Sequence, residues 1–363
     1  MTEFDTQQAR LQALLTAHHL DALFLQRVSS FAWATCGADS HINTADRHGV
    51  ASLLITPTRR YLITNNIERT RLEHEQKLAE QDWEFQVAPW HQSHNAVAEL
   101  TRGLRLGADD PYPNATDLSG ELARLRAALT PEEGNRFRSL GRLCGEAMEA
   151  AIRAVRPGQT EYQIAGLLAH EAESRGVPAI VNLIATDERI FNYRHPLPTA
   201  KELERYAMLI LCGRRHGLIC SVTRFVHFGR LPDELRRKAE AVAQVDAAFI
   251  NATRPGASLS EIFQRATAAY AQAGFPDEWR LHHQGGLAGY EPREIFAAPD
   301  STDKVSIGQA YAWNPSITGT KSEDTILVGE ASNEILTAIP GWPTVTVKVA
   351  GQILERPAIL EIV

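Results

Sequence analysis

No run of apolar residues in this chain comes near the ~20 that a membrane-spanning helix needs, so no membrane anchor is expected. Cysteine is scarce too. Cys36, Cys144, Cys212 and Cys220 stand far apart without zinc-type pairing, which leads us to expect free thiols in a reducing compartment. Basic charge is in deficit: a formal net charge of −7 excludes the broad cationic face that phosphate contact requires. No nucleic-acid partner is expected. The short basic run Arg236-Arg237-Lys238 reads as a solvated helix face. The opening residues Met1 to Asp5 are acidic and polar, unlike a secretory leader, so a cytoplasmic location is expected.

What the chain does contain is 363 residues with 44% hydrophobic and 22% charged, the balance of a globular protein long enough for two domains. Leu11, Leu14 and Leu15 repeat at helical spacing, and the stretch Asp21 to Leu25 reads as a buried strand. Further strands are expected at 50–55 and 60–64 around the turn-prone Thr56-Pro57-Thr58, followed by a helix over 66–80. Residues 1–128 thus read as a smaller α/β domain without a catalytic constellation. A second domain, 129–363, opens at Leu129-Thr130-Pro131-Glu132-Glu133. There Thr130 suits an N-cap, Pro131 the first helical turn, and Glu133 completes a capping box. Phe137, Leu140, Cys144, Met148 and Ile152 then mark one long amphipathic helix.

The strongest pattern is an internal repeat. Arg156-Pro157-Gly158-Gln159-Thr160 recurs as Arg254-Pro255-Gly256-Ala257-Ser258. A helical segment follows each copy, capped by Thr160 or Ser258. Each segment stops at a glycine equally far on, Gly176 or Gly274. Matching caps, stops and spacing predict a duplicated αβ half-domain, and such a domain tends to build its site in the crevice between its halves.

Several segments in this half carry a resemblance. They are Tyr193-Arg194-His195-Pro196-Leu197-Pro198-Thr199, Cys220-Ser221-Val222-Thr223-Arg224, His282-His283-Gln284-Gly285-Gly286-Leu287 and Ser322-Glu323-Asp324-Thr325. In this order, over roughly 130–350, they resemble the creatinase/aminopeptidase P/prolidase family. More weakly, Ser29 to Gly37 resembles that family's N-terminal domain. The resemblance implies an α+β chain: a C-terminal pita-bread fold, whose duplicated halves are related by a pseudo-two-fold, behind a smaller creatinase-type α/β domain. It also implies a homodimer.

Peptidases of that family hold two divalent metals through two Asp, one His and two Glu. Carried onto this chain, the first Asp falls on Leu211 or Cys212 and the second on Ser221, with Val222 beside it. The His falls on His283, the first Glu on Asn314, and the last Glu survives as Glu323. One carboxylate is too little anionic oxygen for two dications, so no metal ligand set and no cofactor are expected. A single ion on His283, Glu323 and Cys212 is the lesser alternative. The metal-free creatinase branch suggests His195 as acid–base, with His283 and Glu323 completing the catalytic group. Tyr290, Arg293, Asn314, Thr223, Arg224 and His282 are then the candidate substrate-binding residues. Arg293 is read either as a clamp for a substrate carboxylate or as the ion-pair partner of Glu294 or Glu323. Thr223-Arg224 departs from creatinase, which has a carboxylate before its arginine; this puts guanidinium binding, and creatine itself, in doubt.

Three functions follow. The first is a metal-independent hydrolase of a C–N bond in a small peptide-like, amide or amidine substrate. The second is an inactive relative that binds a small molecule or short peptide without turnover. The third is an Xaa-Pro dipeptidase or aminopeptidase with an irregular single-metal site.

Overall fold

The computed structural model describes residues 2–92 and 95–363; Met1 of the acidic opening lies outside them. The chain divides into two compact units. One takes residues up to Glu133 with His216–Leu218, the other Gly134–Arg215 with Ile219–Val363. Among the described residues no helix is long and apolar enough to cross a membrane.

In the first unit, α1 (Glu3–Ala17) starts from a reciprocal Thr2/Asp5 capping box. Then come β1 (Ala22–Arg27), α2 (Val28–Ala34), β2 (His48–Ile55), β3 (Arg60–Asn65), β4 (Glu84–Ala88), α3 (Ala96–Leu100), β5 (Leu106–Ala108), β6 (Ala115–Asp117) and α4 (Ser119–Ala127). The strands form one mixed sheet in the order β4-β3-β2-β1-β5-β6. Leu23, Leu25, Leu53, Ile55 and Leu62 are fully buried on it. The helix expected over 66–80 is instead a π turn at Arg71–Glu75 and a 3-10 turn at Leu78–Glu80. Lys77, at φ +55°, separates them, because a left-handed residue cannot continue a right-handed helix.

The long helix α5 (Pro131–Ala154) begins as its sequence pattern predicts. The Thr130 amide donates to the Glu133 carboxylate at 2.6 Å, and the Glu133 amide donates to Thr130 Oγ1 at 3.2 Å. Phe137, Leu140, Cys144, Met148 and Ile152 form its buried stripe. Next come α6 (Glu161–Glu173), β7 (Ala179–Thr186), α7 (Glu188–Asn192), β8 (Tyr206–Arg215), β9 (Leu218–Phe228), α8 (Asp233–Ala252) and α9 (Leu259–Gln272). Short strands β10 (Gly285–Ala288), β11 (Ile295–Phe296), β12 (Ala310–Trp313), β13 (Ser316–Ile317), β14 (Thr320–Lys321), β15 (Asp324–Val328) and β16 (Asn333–Ile335) follow. The hairpin β17 (Thr344–Val349) and β18 (Gln352–Pro357) precedes the last strand, β19 (Leu360–Ile362).

The repeat read from sequence is a repeat in space. Helix α6 is capped by a Thr160/Gln163 box and α9 by a Ser258/Glu261 box. Gly176 (φ +67°) and Gly274 (φ +87°) turn the chain after them. The Gly158 amide bonds the Leu203 carbonyl and the Gly256 amide bonds the Val305 carbonyl, both at 2.8 Å. The Thr160–Glu202 bridge is likewise matched by Ser258–Lys304. One copy carries the sheet β19-β9-β8-β7, the other β11-β10-β12-β15-β16. The second sheet's core stacks Phe249 of α8 on Trp313 of β12, ring centroids 4.6 Å apart. Burying a side chain of that size contributes on the order of 2–3 kcal/mol.

Candidate active site

The segment carrying His195 lies between two carboxylates, one buried and one half-buried, that act as backbone clamps. Glu161, on the first turn of α6, is fully buried. It accepts hydrogen bonds from the amide and hydroxyl of Thr186 (2.8 and 3.1 Å) and of Thr199 (2.9 and 2.7 Å), and it pairs with Arg189. Asp187, at φ +51°, accepts from the amides of Glu204, Arg205 and Tyr206 at 2.8, 2.9 and 2.9 Å. Arg194 reaches Glu278 at 3.1 Å and Thr318 Oγ1 at 2.9 Å. Held at both ends, the turn presents His195 beside the residues that lead into β10.

Three imidazoles meet there. His195 Nε2 lies 3.2 Å from His282 Nε2, and ring centroids are 5.0 Å apart for His195–His282, 5.4 Å for His195–His283 and 4.5 Å for His282–His283. Ser316 Oγ lies 3.4 Å from His282 Nδ1, and Phe296 meets the His283 ring edge-on at 4.9 Å. Burial, then the charge of Lys321, lowers the pKa of His195 below the ordinary histidine value. Burial pushes His282 down to about 2 and, with the Arg293 charge next in weight, His283 down to about 4. All three rings are therefore neutral at pH 7.

Glu323 occupies a different setting from the one its sequence suggests. Its carboxylate pairs with Arg293 at 3.1 Å and with Lys321 at 2.8 Å, and it accepts from Thr223 Oγ1 at 2.5 Å. It makes no hydrogen bond to His195 or His283. Burial raises its pKa, but the Lys321 and Arg293 charges outweigh that and hold it at about 2. Arg293 also donates to Ser221 Oγ at 3.2 Å, and Ser221 Oγ lies 3.3 Å from Cys212 Sγ. The Cys212 thiol is pushed up to about 11, chiefly by burial. The Asn314 side-chain oxygen is buried without a hydrogen-bond partner.

Of the residues singled out from sequence, His195, His282 and His283 come together, and Thr223, Arg293 and Glu323 form a second, bonded group. Arg293 is thus the ion-pair partner of Glu323, while Glu294 Oε1 accepts from the Tyr290 amide at 3.0 Å. The Tyr290 side chain is buried. Arg224, expected to bind substrate, does something else: it is buried and donates to Asp324 at 2.8 Å and to the Thr337 carbonyl at 3.1 Å. That places it in a structural ion network. Lys321 was not among the candidates, although a signal existed. In extended backbone, residues two apart share a face, so Lys321 and Glu323 of Thr-Lys-Ser-Glu-Asp project together.

Residues 135–330, more than half of the chain, match metallopeptidase family M24. The chain belongs to that family. An uncharacterized peptidase of Staphylococcus saprophyticus is 23% identical over 235 residues, 61% of this chain and 65% of that protein. The Xaa-Pro dipeptidase of Lactobacillus helveticus is 26% identical over 215 residues, 57% of this chain and 58% of that protein. The chain is therefore matched to less than two thirds of either relative. Among solved structures, the Xaa-Pro dipeptidase from Bacillus anthracis superposes with a TM-score of 0.79 over 99% of this chain and all of that one, at 18% identity. That likeness gives the fold, and the fold is pita-bread. Of the residues weighed from sequence as metal ligands, Glu323 is paired with Arg293 and Lys321, and Ser221 Oγ lies beside the Cys212 thiol.

Proposed function

We propose that this M24 chain hydrolyses a C–N bond in a small peptide-like, amide or amidine substrate without a two-metal centre. The observation that carries the proposal is the pairing of Glu323 with Arg293 and Lys321. Two dications need several anionic oxygens and cannot sit against two fixed positive side chains. The donor set does not fit the family's metals, so no step is routed through them.

The residues present support a different division of labour. His195 is exposed, neutral and at hydrogen-bond distance from His282, so it accepts the proton of an attacking water and returns it to the leaving nitrogen. Arg293 and Lys321 supply fixed positive charge near that step, the role oxyanion donors play in acyl transfer. Asn314 offers an amide to a polar group of the substrate. Because the Lactobacillus relative is an Xaa-Pro dipeptidase, Xaa-Pro dipeptides are the first substrates to test.

Turnover is expected to survive prolonged chelation and to fall about 10²–10⁴-fold in His195→Ala, with kcat rather than KM carrying the loss. Kinetics on chelator-treated protein with a panel of dipeptides, amides and amidines measures both. Turnover that dies on chelation and returns with added metal overturns the proposal, as does full activity in His195→Ala.

A further inference from the structure

We propose that His195, His282 and His283 form a site for one borderline divalent transition cation, such as Zn²⁺, bound through nitrogen alone. Each residue offers one ring nitrogen, and the three nitrogens lie within 4.8 Å of one another. The His195 and His282 Nε2 atoms are 3.2 Å apart. Two Zn–N bonds of about 2.0–2.1 Å at a tetrahedral angle place their nitrogens about 3.3 Å apart, so this pair already has the required spacing. The His283 ring has only to close the remaining gap.

Two further observations point to a ligand. Ser316 Oγ lies against His282 Nδ1, the outer partner that fixes which nitrogen of a metal-bound imidazole faces the ion. His283 Nδ1 is buried and has no hydrogen-bond partner. Three protein nitrogens leave a fourth tetrahedral position open to water or substrate, and the exposed His195 gives the ion a path from solvent. An imidazole-only set suits zinc, copper or nickel and discriminates against calcium and magnesium. Lys321 and Arg293 weaken the attraction, and Glu323 between them offsets one of the two charges.

The cation would consume the His195 lone pair that the proposed hydrolysis uses as base. Occupancy therefore inhibits, and a chelator restores turnover. Binding itself does not rest on the hydrolytic reading and is read without substrate. The full-length protein, stripped with chelator, is titrated with Zn²⁺ against a chromophoric competitor and with Co²⁺ by visible absorption. One equivalent is expected to bind at micromolar concentration, with the intense absorption of tetrahedral Co²⁺. His195→Ala, at an exposed position that leaves the fold intact, and His283→Ala each weaken binding at least about tenfold. The exposed His18→Ala leaves it unchanged. Absence of stoichiometric binding overturns the site, as does binding that is undiminished in His195→Ala. Either result leaves the separate test of chelator-resistant turnover standing.

Discussion

Glu323 is the residue on which the site's electrostatics turn. It is almost fully buried between Arg293 and Lys321, so removing its charge leaves two buried cations facing one another. Breaking a buried pair from one side typically costs 3–5 kcal/mol, and Glu323→Gln is expected to lose about that much in urea unfolding at pH 7. The pH dependence has a definite sign. Glu323 is held at about 2 in the folded protein, below its ordinary value of 4.5. Its stabilisation is complete above that ordinary value and is lost as pH falls from there towards about 2. A shift of this size is worth about 3 kcal/mol, so the gap between wild type and Glu323→Gln should close over that acid window. A gap that stays constant down to pH 2 would contradict the assignment.

Among the elements, β10 constrains the site most tightly. Gly285 has φ +99°, and a Cβ there would lie 2.1 Å from the Ala312 carbonyl of the paired strand β12. Neither the backbone conformation nor the strand spacing admits a side chain. Gly285→Ala is expected to cost about 2–4 kcal/mol through strain and forced separation of the strands. The same displacement moves His283, two residues away, so the variant should also bind Co²⁺ more weakly. Denaturant unfolding and the cobalt spectrum test both parts. The clamp through Glu161 shows the same logic: one buried carboxylate on a helix fixes the turn that carries a histidine far along the chain.

At the scale of the pita-bread unit, the duplicated halves and the C-terminal hairpin are tied by a charge-balanced network. Arg356 of β18 pairs with Asp246 of α8 and with Asp324 of β15, each at 2.6 Å, and Arg224 of β9 pairs with Asp324 at 2.8 Å. Burial raises the Asp246 pKa, whereas Arg224 and Arg356 more than offset the effect of burial on Asp324 and lower it. Two carboxylates and two guanidinium groups cancel. Removing one member does not remove the desolvation of the rest. Arg356→Met should therefore destabilise the protein by about 3–5 kcal/mol, and adding Asp246→Asn should restore part of it. Thermal unfolding of the single and double variants decides this; a double variant no more stable than Arg356→Met refutes the coupling.

Local chemistry made much of this legible before any coordinates. The Thr130–Glu133, Thr160–Gln163 and Ser258–Glu261 boxes and the glycine stops act over a few residues, so the sequence alone determined where these helices begin and end and that the second domain contains a repeated αβ unit. The same locality failed at 66–80, where one left-handed lysine breaks a run whose composition suits a helix. Side-chain partners across the fold were beyond it. That Arg293 and Lys321 meet Glu323, that Arg224 turns to Asp324, and that His195 meets His282 and His283 depends on strand pairings and on a turn clamped from α6. The tertiary structure alone decided these, because ion pairing and imidazole clustering depend on distance in space, which sequence separation does not fix.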